Sequence, residues 1–294
     1  CLSPKTFEGV GRQMDLASIN DIILKYNLSN RDRFIINGGE PTLHCELDKI
    51  ISTLNKTNVE VVLYSNGRKF CDHIFTKDII KSGIKRVTIP IHGEEKNHDK
   101  ITQVNGSFNE TVEGLNNLLY EKRNGSKIGI EVKFIINNSF LENKKSIINL
   151  ISKNIKYINF IDCFVLTSII HCDTIKKTKL LIPELDILAK YISAQINILY
   201  DYNIKIMDIP LCLLDTDIVK QIKENFKTAK NIGFNEFTIF DYKRKNGKKI
   251  NYKESTNYYD KCKLCDLEDR CGSIMNYYRS LVRDKNGDWY TDLE

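Results

Sequence analysis

The sequence predicts an α/β protein in which strand–helix units surround a parallel sheet and a smaller cysteine-rich region follows. Three observations carry that expectation. From residue 16 to about residue 200, short β-branched runs alternate with longer amphipathic segments. Turn-forming residues fall where the short runs end. Past about residue 200 the alternation stops, and the chain becomes Lys-, Asn- and Tyr-rich and carries a cysteine cluster. The boundary is therefore expected near Asp201, giving a core over 1–200 and a second region over 201–294.

Taken in order, the expected strands are Arg33 to Asn37, Val59 to Tyr64, Arg86 to Ile91, Ile128 to Ile136 and Tyr157 to Phe164. Helices are expected near Leu16 to Lys25, Leu47 to Leu54, Ile74 to Lys81, Asn109 to Lys122, Lys144 to Ser152 and Pro183 to Tyr200. In the fourth of these, Val112, Leu115, Leu118 and Leu119 recur at helical spacing, and Gly114 is the weak point because glycine is a poor helix former. Turns fall at Asn37-Gly38-Gly39, Ser65-Asn66-Gly67, His92-Gly93 and Asn137-Asn138. In a parallel α/β barrel the carboxyl ends of the strands gather on one face, so these turns converge there.

Composition narrows the function classes. At 294 residues, with 41% hydrophobic and 28% charged residues, the chain can bury a core and is neither disordered nor a short disulfide scaffold. The longest apolar stretch, Ile158 to Ile170, is broken by Asp162 and falls short of the roughly 20 residues a spanning helix needs, so no membrane partner is expected. The net charge of +6 is dispersed, and the cluster Lys243, Arg244, Lys245, Lys248 and Lys249 reads as a solvated turn, so no nucleic-acid partner is expected either. Nine cysteines, an odd number without a secretory signature, point to a reducing, cytoplasmic setting and to metal or redox chemistry.

Two motifs carry chemistry. Gly38-Gly39-Glu40-Pro41-Thr42-Leu43-His44 follows the first expected strand; its glycines let backbone approach a ligand, and Glu40 offers a carboxylate suited to an ammonium group. A plain glycine-rich turn with a solvated glutamate is the alternative. The second motif is Cys262-Lys263-Leu264-Cys265 with Cys271-Gly272, whose thiolates can converge on one metal or cluster. Cys212, after Pro210, is a candidate fourth ligand. Zinc would accept the same ligands, and three unrelated buried cysteines are the plain alternative.

Considered together, these features resemble the radical S-adenosylmethionine (radical SAM) enzymes. The likeness runs in order through Gly38-Gly39-Glu40-Pro41, Val62 to Gly67, Val87 to Gly93, His98-Asp99 and Gly106 to Leu115. It implies a partial (β/α)6 TIM-like barrel with a small C-terminal cysteine-rich cluster-binding domain. It also implies a [4Fe-4S] cluster on a C-x3-C-x2-C triplet, with one iron open to S-adenosylmethionine. Cys1 matches the last cysteine of that triplet, and the other two are expected upstream of it.

By the same resemblance, Gly38, Gly39 and Glu40 contact the methionyl amino group and Pro41 shapes the turn. Ser65 and Asn66 lie within reach of the methionyl or ribose part, and Lys133 and Asn137 are candidate contacts to carboxylate and adenine. A serine is usual at the position of Pro90, which has no hydroxyl; His92 substitutes for it, faces substrate, or is a structural hydrogen-bonder. Cys212, Cys262, Cys265 and Cys271 look like the ligands of an auxiliary iron–sulfur cluster in a SPASM or twitch-type domain, with Tyr277 and Tyr278 as packing groups. Cys163 reads as core.

The implied activity is reductive cleavage of S-adenosylmethionine to a 5′-deoxyadenosyl radical that removes hydrogen from a substrate. The expected substrate is a ribosomally made peptide or protein side chain, with a small-molecule or cofactor precursor as the alternative. An electron donor such as ferredoxin or flavodoxin is implied. A scaffold with structural zinc is the non-catalytic alternative. No Ser/His/Asp or paired-carboxylate constellation is evident in the sequence.

Overall fold

A computed structural model describes residues 14–30, 32–142, 146–168, 183–207 and 209–224, and short strands at 227–228, 236–241, 246–251, 256–257 and 274–275. The main sheet is open and runs in the order β1 (Arg33–Ile36), β2 (Glu60–Tyr64), β3 (Arg86–Ile91), β4 (Gly129–Ile136), β5 (Cys163–Ser168), β6 (Ile204–Met207) and β7 (Lys227–Thr228). Six strands have four residues or more, and the sheet is not closed, which is the partial-barrel α/β class expected. Strand order equal to chain order is what right-handed strand–helix–strand crossovers produce.

The chain divides into two compact units, 1–133 with 149–163, and 134–148 with 164–294. In the first unit, β1 pairs β2 and β2 pairs β3 in parallel, with Phe34 opposite Val61 and Leu63 opposite Val87. These strands read as apolar runs because both faces of a parallel sheet are covered. Helix α1 (Leu16–Tyr26) precedes β1, and α2 (Leu47–Asn55) and α3 (His73–Lys81) connect the three strands. Asp15 caps α1 at Ser18 N, and Asp72 caps α3 at Ile74 N and Phe75 N. Ile51, Leu54, Val61, Leu63, Phe70, Ile79, Val87 and Ile89 form this unit's core with Leu115, Leu118 and Leu119 of α5 (Ser107–Arg123).

Gly114, a weak point on propensity alone, is where α5 needs to be narrow. A Cβ there would lie 2.1 Å from Gly67 O and 3.0 Å from Phe70 Cβ, so only glycine lets the helix lie this close to the turn after β2. Gly67 itself has φ +82°, in the left-handed region that favours glycine.

In the second unit, β5 pairs β6 and β6 pairs β7 in parallel. Phe164 packs against Phe134 and Tyr202, at ring distances of 6.1 and 5.1 Å, and Leu188, Ile192 and Ile196 of the helix Leu185–Ile198 are buried in the same unit. Two antiparallel pairs follow, Glu236–Asp241 with Asn246–Asn251 and Thr256–Asn257 with Ile274–Met275.

One expectation needs correction, and one element is new. The fifth strand is not Tyr157 to Phe164: Ile158–Phe160 forms a 3-10 turn, and the strand starts at Cys163 and runs to Ser168. Asp162 explains the shift, because its carboxylate takes Ile130 N at 2.6 Å and pairs with Lys122, fixing the chain before the strand begins. An unanticipated helix, α4 (Glu95–Thr102), occupies the chain between β3 and α5.

Candidate active site

The site is built on the carboxyl ends of β1, β2 and β3 in the first unit. After β1 the chain passes through exposed Gly38 and Gly39 into Glu40 and the 3-10 turn Pro41–Leu43. A Cβ on either glycine would meet nothing within 4 Å, and neither glycine has a positive φ. Among the described residues neither packing nor backbone strain requires glycine at these two positions, and the backbone there is bare.

Glu40 is half-buried and held on four sides. Its Oε1 accepts from Thr42 N at 3.1 Å, Thr42 Oγ1 at 2.6 Å and Ser65 Oγ at 2.8 Å, and its Oε2 accepts from Asn66 N at 2.7 Å. All four donors are neutral, and among the described residues the carboxylate forms no ion pair. A carboxylate oriented by neutral donors, with lone-pair capacity left on Oε2, is arranged to receive a cation. Thr42 is fully buried, and Lys69 Nζ donates to its carbonyl at 2.9 Å, tying the first loop to the second.

The structure gives Ser65 and Asn66 supporting positions. The Ser65 hydroxyl donates to Glu40 and accepts from Gly67 N at 3.0 Å, so both of its roles are taken. The Asn66 Oδ1 accepts from Arg68 N at 2.9 Å, and its carbonyl accepts from Thr111 Oγ1 at 3.0 Å. Thr42, whose part in the site was not evident in the sequence, lies inside the singled-out motif; only the fold reveals that both its N–H and its hydroxyl serve Glu40.

His92 follows β3 and is buried, at 6% exposure. Its backbone N–H donates to His98 Nδ1 at 3.3 Å, the two rings are 5.2 Å apart, and its own Nδ1 is buried with no hydrogen-bond partner among the described residues. Burial pushes His92 well below the usual imidazole range, and neighbouring His98 adds to the effect. Burial likewise lowers His98 to about 4, against the opposing pull of Asp99. Both imidazoles are therefore neutral at pH 7.

Asp99 closes the segment by accepting from Gly106 N at 2.6 Å, Phe108 N at 2.8 Å and Ser107 Oγ at 2.8 Å, which caps α5 from outside the helix. Desolvation pulls the Asp99 carboxyl up, but these three donors outweigh it and hold it below its ordinary value.

Lys133 lies half-buried in β4. Asn137, in the second unit just after β4, caps the helix Asn138–Glu142 by accepting from Phe140 N at 2.9 Å. Cys212 is exposed in the 3-10 turn Leu211–Leu213. Cys1, Cys262, Cys265 and Cys271, with Tyr277 and Tyr278, lie outside the described residues. The antiparallel pair that joins Thr256 to Met275 brackets the three clustered cysteines in the chain.

A further feature was invisible in the sequence. At the opposite, amino-terminal ends of the strands, Arg33, Glu60, Arg86 and Glu131 form a ladder across β1 to β4, with contacts of 2.6, 3.0 and 2.9 Å. Thr88 Oγ1 also donates to Glu131 at 3.1 Å. Burial pushes Glu60 up, but the hydrogen bonds and charges of Arg33 and Arg86 outweigh it and hold its carboxyl below the usual range.

The model of the radical SAM superfamily matches residues 1–153 of this chain. The chain belongs to the radical SAM superfamily. Membership of that superfamily is what supports the expected S-adenosylmethionine chemistry. Among curated relatives, the chain is 25% identical over 148 residues to the Fe-coproporphyrin III synthase of Methanosarcina barkeri, covering 50% of this chain and 33% of that protein. It is 34% identical over 84 residues to a probable GTP 3′,8-cyclase of Pyrobaculum aerophilum, covering 28% of this chain and 26% of that protein. The chain thus spans a third or less of the curated relatives it matches.

Among solved structures, native anSMEcpe with bound AdoMet has a TM-score of 0.60 at 13% identity, over 98% of this chain and 88% of that one. Streptococcus suis SuiB bound to S-adenosylmethionine has a TM-score of 0.51 at 12% identity, over 96% and 70%. At these identities the likeness is one of fold.

The residues at these strand tips fit the group the family implies. An anionic, pre-oriented Glu40 without a cationic partner among the described residues stands beside backbone left bare at Gly38 and Gly39, as an α-ammonium ligand requires. Among the described residues no helix is long and apolar enough to cross a membrane.

Proposed function

We propose that this radical SAM enzyme binds S-adenosylmethionine at the tips of β1 to β3 and abstracts hydrogen from a ribosomally made peptide or protein side chain. The observation that carries the cofactor assignment is the Glu40 carboxylate, fixed by four neutral donors and left with charge to share. When bound, the reduced cluster and its nucleotide supply one electron, scission of a carbon–sulfur bond, and a 5′-deoxyadenosyl radical.

The chain's own residues bind, orient and exclude. Glu40 receives the α-ammonium group, Gly38 and Gly39 let the methionyl part lie against backbone, and Pro41 starts the turn that returns Thr42 to the carboxylate. Ser65 and Asn66 act through Glu40, holding it rather than touching the nucleotide. His92 Nδ1, buried without a partner among the described residues, is assigned to a polar group of cofactor or substrate, and Lys133 and Asn137 to the carboxylate and adenine. Cys1 is assigned as the last thiolate of the cluster triplet. Burial of the polar groups around Ser65 and His92 supports a site shielded from water, which a reactive radical needs.

Over residues 201–294, Cys262, Cys265 and Cys271, with Cys212, are assigned to an auxiliary iron–sulfur cluster of SPASM or twitch type. The pairing of Thr256–Asn257 with Ile274–Met275 supports this, because it closes the stretch of chain holding the three cysteines. A soluble one-electron carrier such as ferredoxin or flavodoxin is the proposed donor.

Peptide as substrate is supported by that cysteine pattern. A second reading, a small-molecule or cofactor precursor, is favoured by the names of the two curated relatives, a porphyrin synthase and a GTP cyclase. Deuterium transfer separates the two. The full-length protein, reconstituted anaerobically with iron and sulfide and reduced, is incubated with a deuterated short peptide encoded beside the gene. Deuterium in 5′-deoxyadenosine supports the peptide reading. 5′-Deoxyadenosine formed without deuterium, and without change in peptide mass, contradicts it.

A further inference from the structure

Lys69 stands in the 3-10 turn Arg68–Cys71 that follows β2, a short step beyond Ser65 and Asn66, which hold Glu40 directly. Its ammonium group has two engagements. Nζ donates to the Thr42 carbonyl at 2.9 Å and lies 4.5 Å from the centre of the Phe75 ring, on α3. A cation that faces a ring on one side and a carbonyl on another is fixed in direction, and a charged donor bonds a carbonyl more strongly than a neutral one. Phe75 in turn packs against fully buried Phe70, with ring centroids 5.4 Å apart.

The two sides of this bond are held differently. The turn that carries Lys69 is docked on α5. Asn117 Nδ2 donates to the carbonyls of Phe70 and Cys71 at 2.9 and 3.0 Å, Arg68 Nε donates to Glu110 Oε2, and Gly114 admits the Gly67 carbonyl against the helix. Much of the loop that carries Glu40 is open by comparison. Gly38 and Gly39 are exposed, with nothing within 4 Å of a Cβ placed on either, and Leu43 is 69% exposed. Thr42 is the exception: it is fully buried, its N–H and hydroxyl both serve Glu40 Oε1, and its carbonyl serves Lys69. Thr42 therefore joins the ammonium to the carboxylate in one chain of hydrogen bonds.

We propose that Lys69 is a positioning residue for the Glu40 loop: through Thr42 it passes the rigidity of the turn on α5 to the carboxylate, so that Glu40 is aimed before a ligand arrives. Its role in binding rests on the assignment of Glu40 to the ammonium group of S-adenosylmethionine. The bond between Lys69 and Thr42 does not, and the test keeps the two apart. A carboxylate already aimed spares the ligand the cost of ordering it, so loss of the bond should weaken binding and leave the later chemistry alone.

The experiment compares wild type, Lys69→Met and Lys69→Arg in the full-length protein, each with Glu40 intact and with Glu40→Gln. Met keeps an aliphatic stem beside Phe75 and loses the donor, whereas Arg keeps a charged donor. In the iron-free proteins, amide hydrogen exchange of Thr42 to His44 is expected to quicken about tenfold in Lys69→Met and to return most of the way in Lys69→Arg, with exchange in β2 and β3 unchanged. In the reconstituted proteins at equal iron content, KM for S-adenosylmethionine is expected to rise about tenfold in Lys69→Met with kcat nearly unchanged, and to recover with Arg. With Glu40→Gln in place the same change should raise KM less than about twofold, because residues acting through one carboxylate are not additive. Unchanged exchange, or quickening spread equally over β2 and β3, overturns Lys69 as the support of the loop. Quickened exchange with unchanged KM, or an equal rise of KM in both backgrounds, overturns its role in binding. If wild type turns over no S-adenosylmethionine, or Glu40→Gln leaves KM at the wild-type value, the Glu40 assignment and the binding role fall together, while exchange at Thr42 to His44 still decides whether Lys69 holds the loop.

Discussion

The Ser65 hydroxyl at the end of β2 donates to Glu40 Oε1 at 2.8 Å, joining the tips of two neighbouring strands through the one carboxylate expected to bind an ammonium group. The bond gives Ser65 a definite and measurable part. Ser65→Ala removes one of three donors to Oε1 and leaves the charge, a loss of about 1 kcal/mol and a several-fold rise in KM for S-adenosylmethionine with kcat nearly unchanged. Glu40→Gln removes the charge itself and should weaken binding about 10- to 100-fold, since hydrogen bonds to charged groups contribute about 1.5–3 kcal/mol. Isothermal titration and steady-state kinetics on the two variants check the order.

Gly114 supplies a test in which two effects have opposite signs. Helix propensity favours alanine over glycine by about 1 kcal/mol. The alanine methyl would instead sit 2.1 Å from the Gly67 carbonyl oxygen, an overlap with backbone that the neighbour cannot relieve by rotating. Overpacking of this kind costs about 1–3 kcal/mol or more, so Gly114→Ala should lower the thermal midpoint rather than raise it. Because Gly67 belongs to the turn that carries Ser65 and Asn66, the same variant should weaken S-adenosylmethionine binding.

The ion-pair ladder should be costly to break in the middle. Arg86 bonds both Glu60 and Glu131, and Glu131 is only 5% exposed. Arg86→Met leaves that buried carboxylate short of its charged partner, a loss of about 3 kcal/mol read from urea unfolding. The pH sign follows from Glu60, whose folded carboxyl lies below its ordinary value of 4.5. Its stabilising contribution is present above that pH and lost as pH falls through the lower folded value, so the penalty of Arg86→Met should shrink in acid.

His98 produces a separate acid effect. Its folded value of about 4 lies below the ordinary 6.5, because burial outweighs Asp99, and the positive charge of Arg68 adds to the lowering. Between those pH values the unfolded chain binds a proton that the folded chain refuses, so stability is full above 6.5 and falls by about 1.4 kcal/mol per pH unit toward 4. His98→Asn should flatten the stability–pH profile in that interval. An unchanged slope would show that His98 is not the group responsible.

Much of the fold could be read from the chain because parallel strands announce themselves as short apolar runs, and β1 to β4 do. β5 escaped because Tyr157 and Ile158 look like strand residues, yet Tyr157 is engaged by the Arg123 guanidinium 5.0 Å from its ring, and the strand waits until Asp162 has anchored the chain. α4 escaped because Glu95–Thr102 has no apolar stripe; it buries Asn97 and His98 instead. At the site, Gly38 to Glu40 were legible as a motif. The support Ser65 gives Glu40 was not, since it depends on a partner 25 residues away brought near only by folding, and the ladder from Arg33 to Glu131 is four unremarkable charges until the strands align.

The central claim is that Glu40 grips the ammonium end of S-adenosylmethionine beside a reduced iron–sulfur cluster. The most direct measurement is 5′-deoxyadenosine formed by the full-length protein, reconstituted anaerobically and reduced, with Glu40→Gln at equal iron content alongside. Wild type should release 5′-deoxyadenosine and the variant little or none at low S-adenosylmethionine. A wild-type protein with its full iron that yields none, or a variant that matches it, would contradict the account.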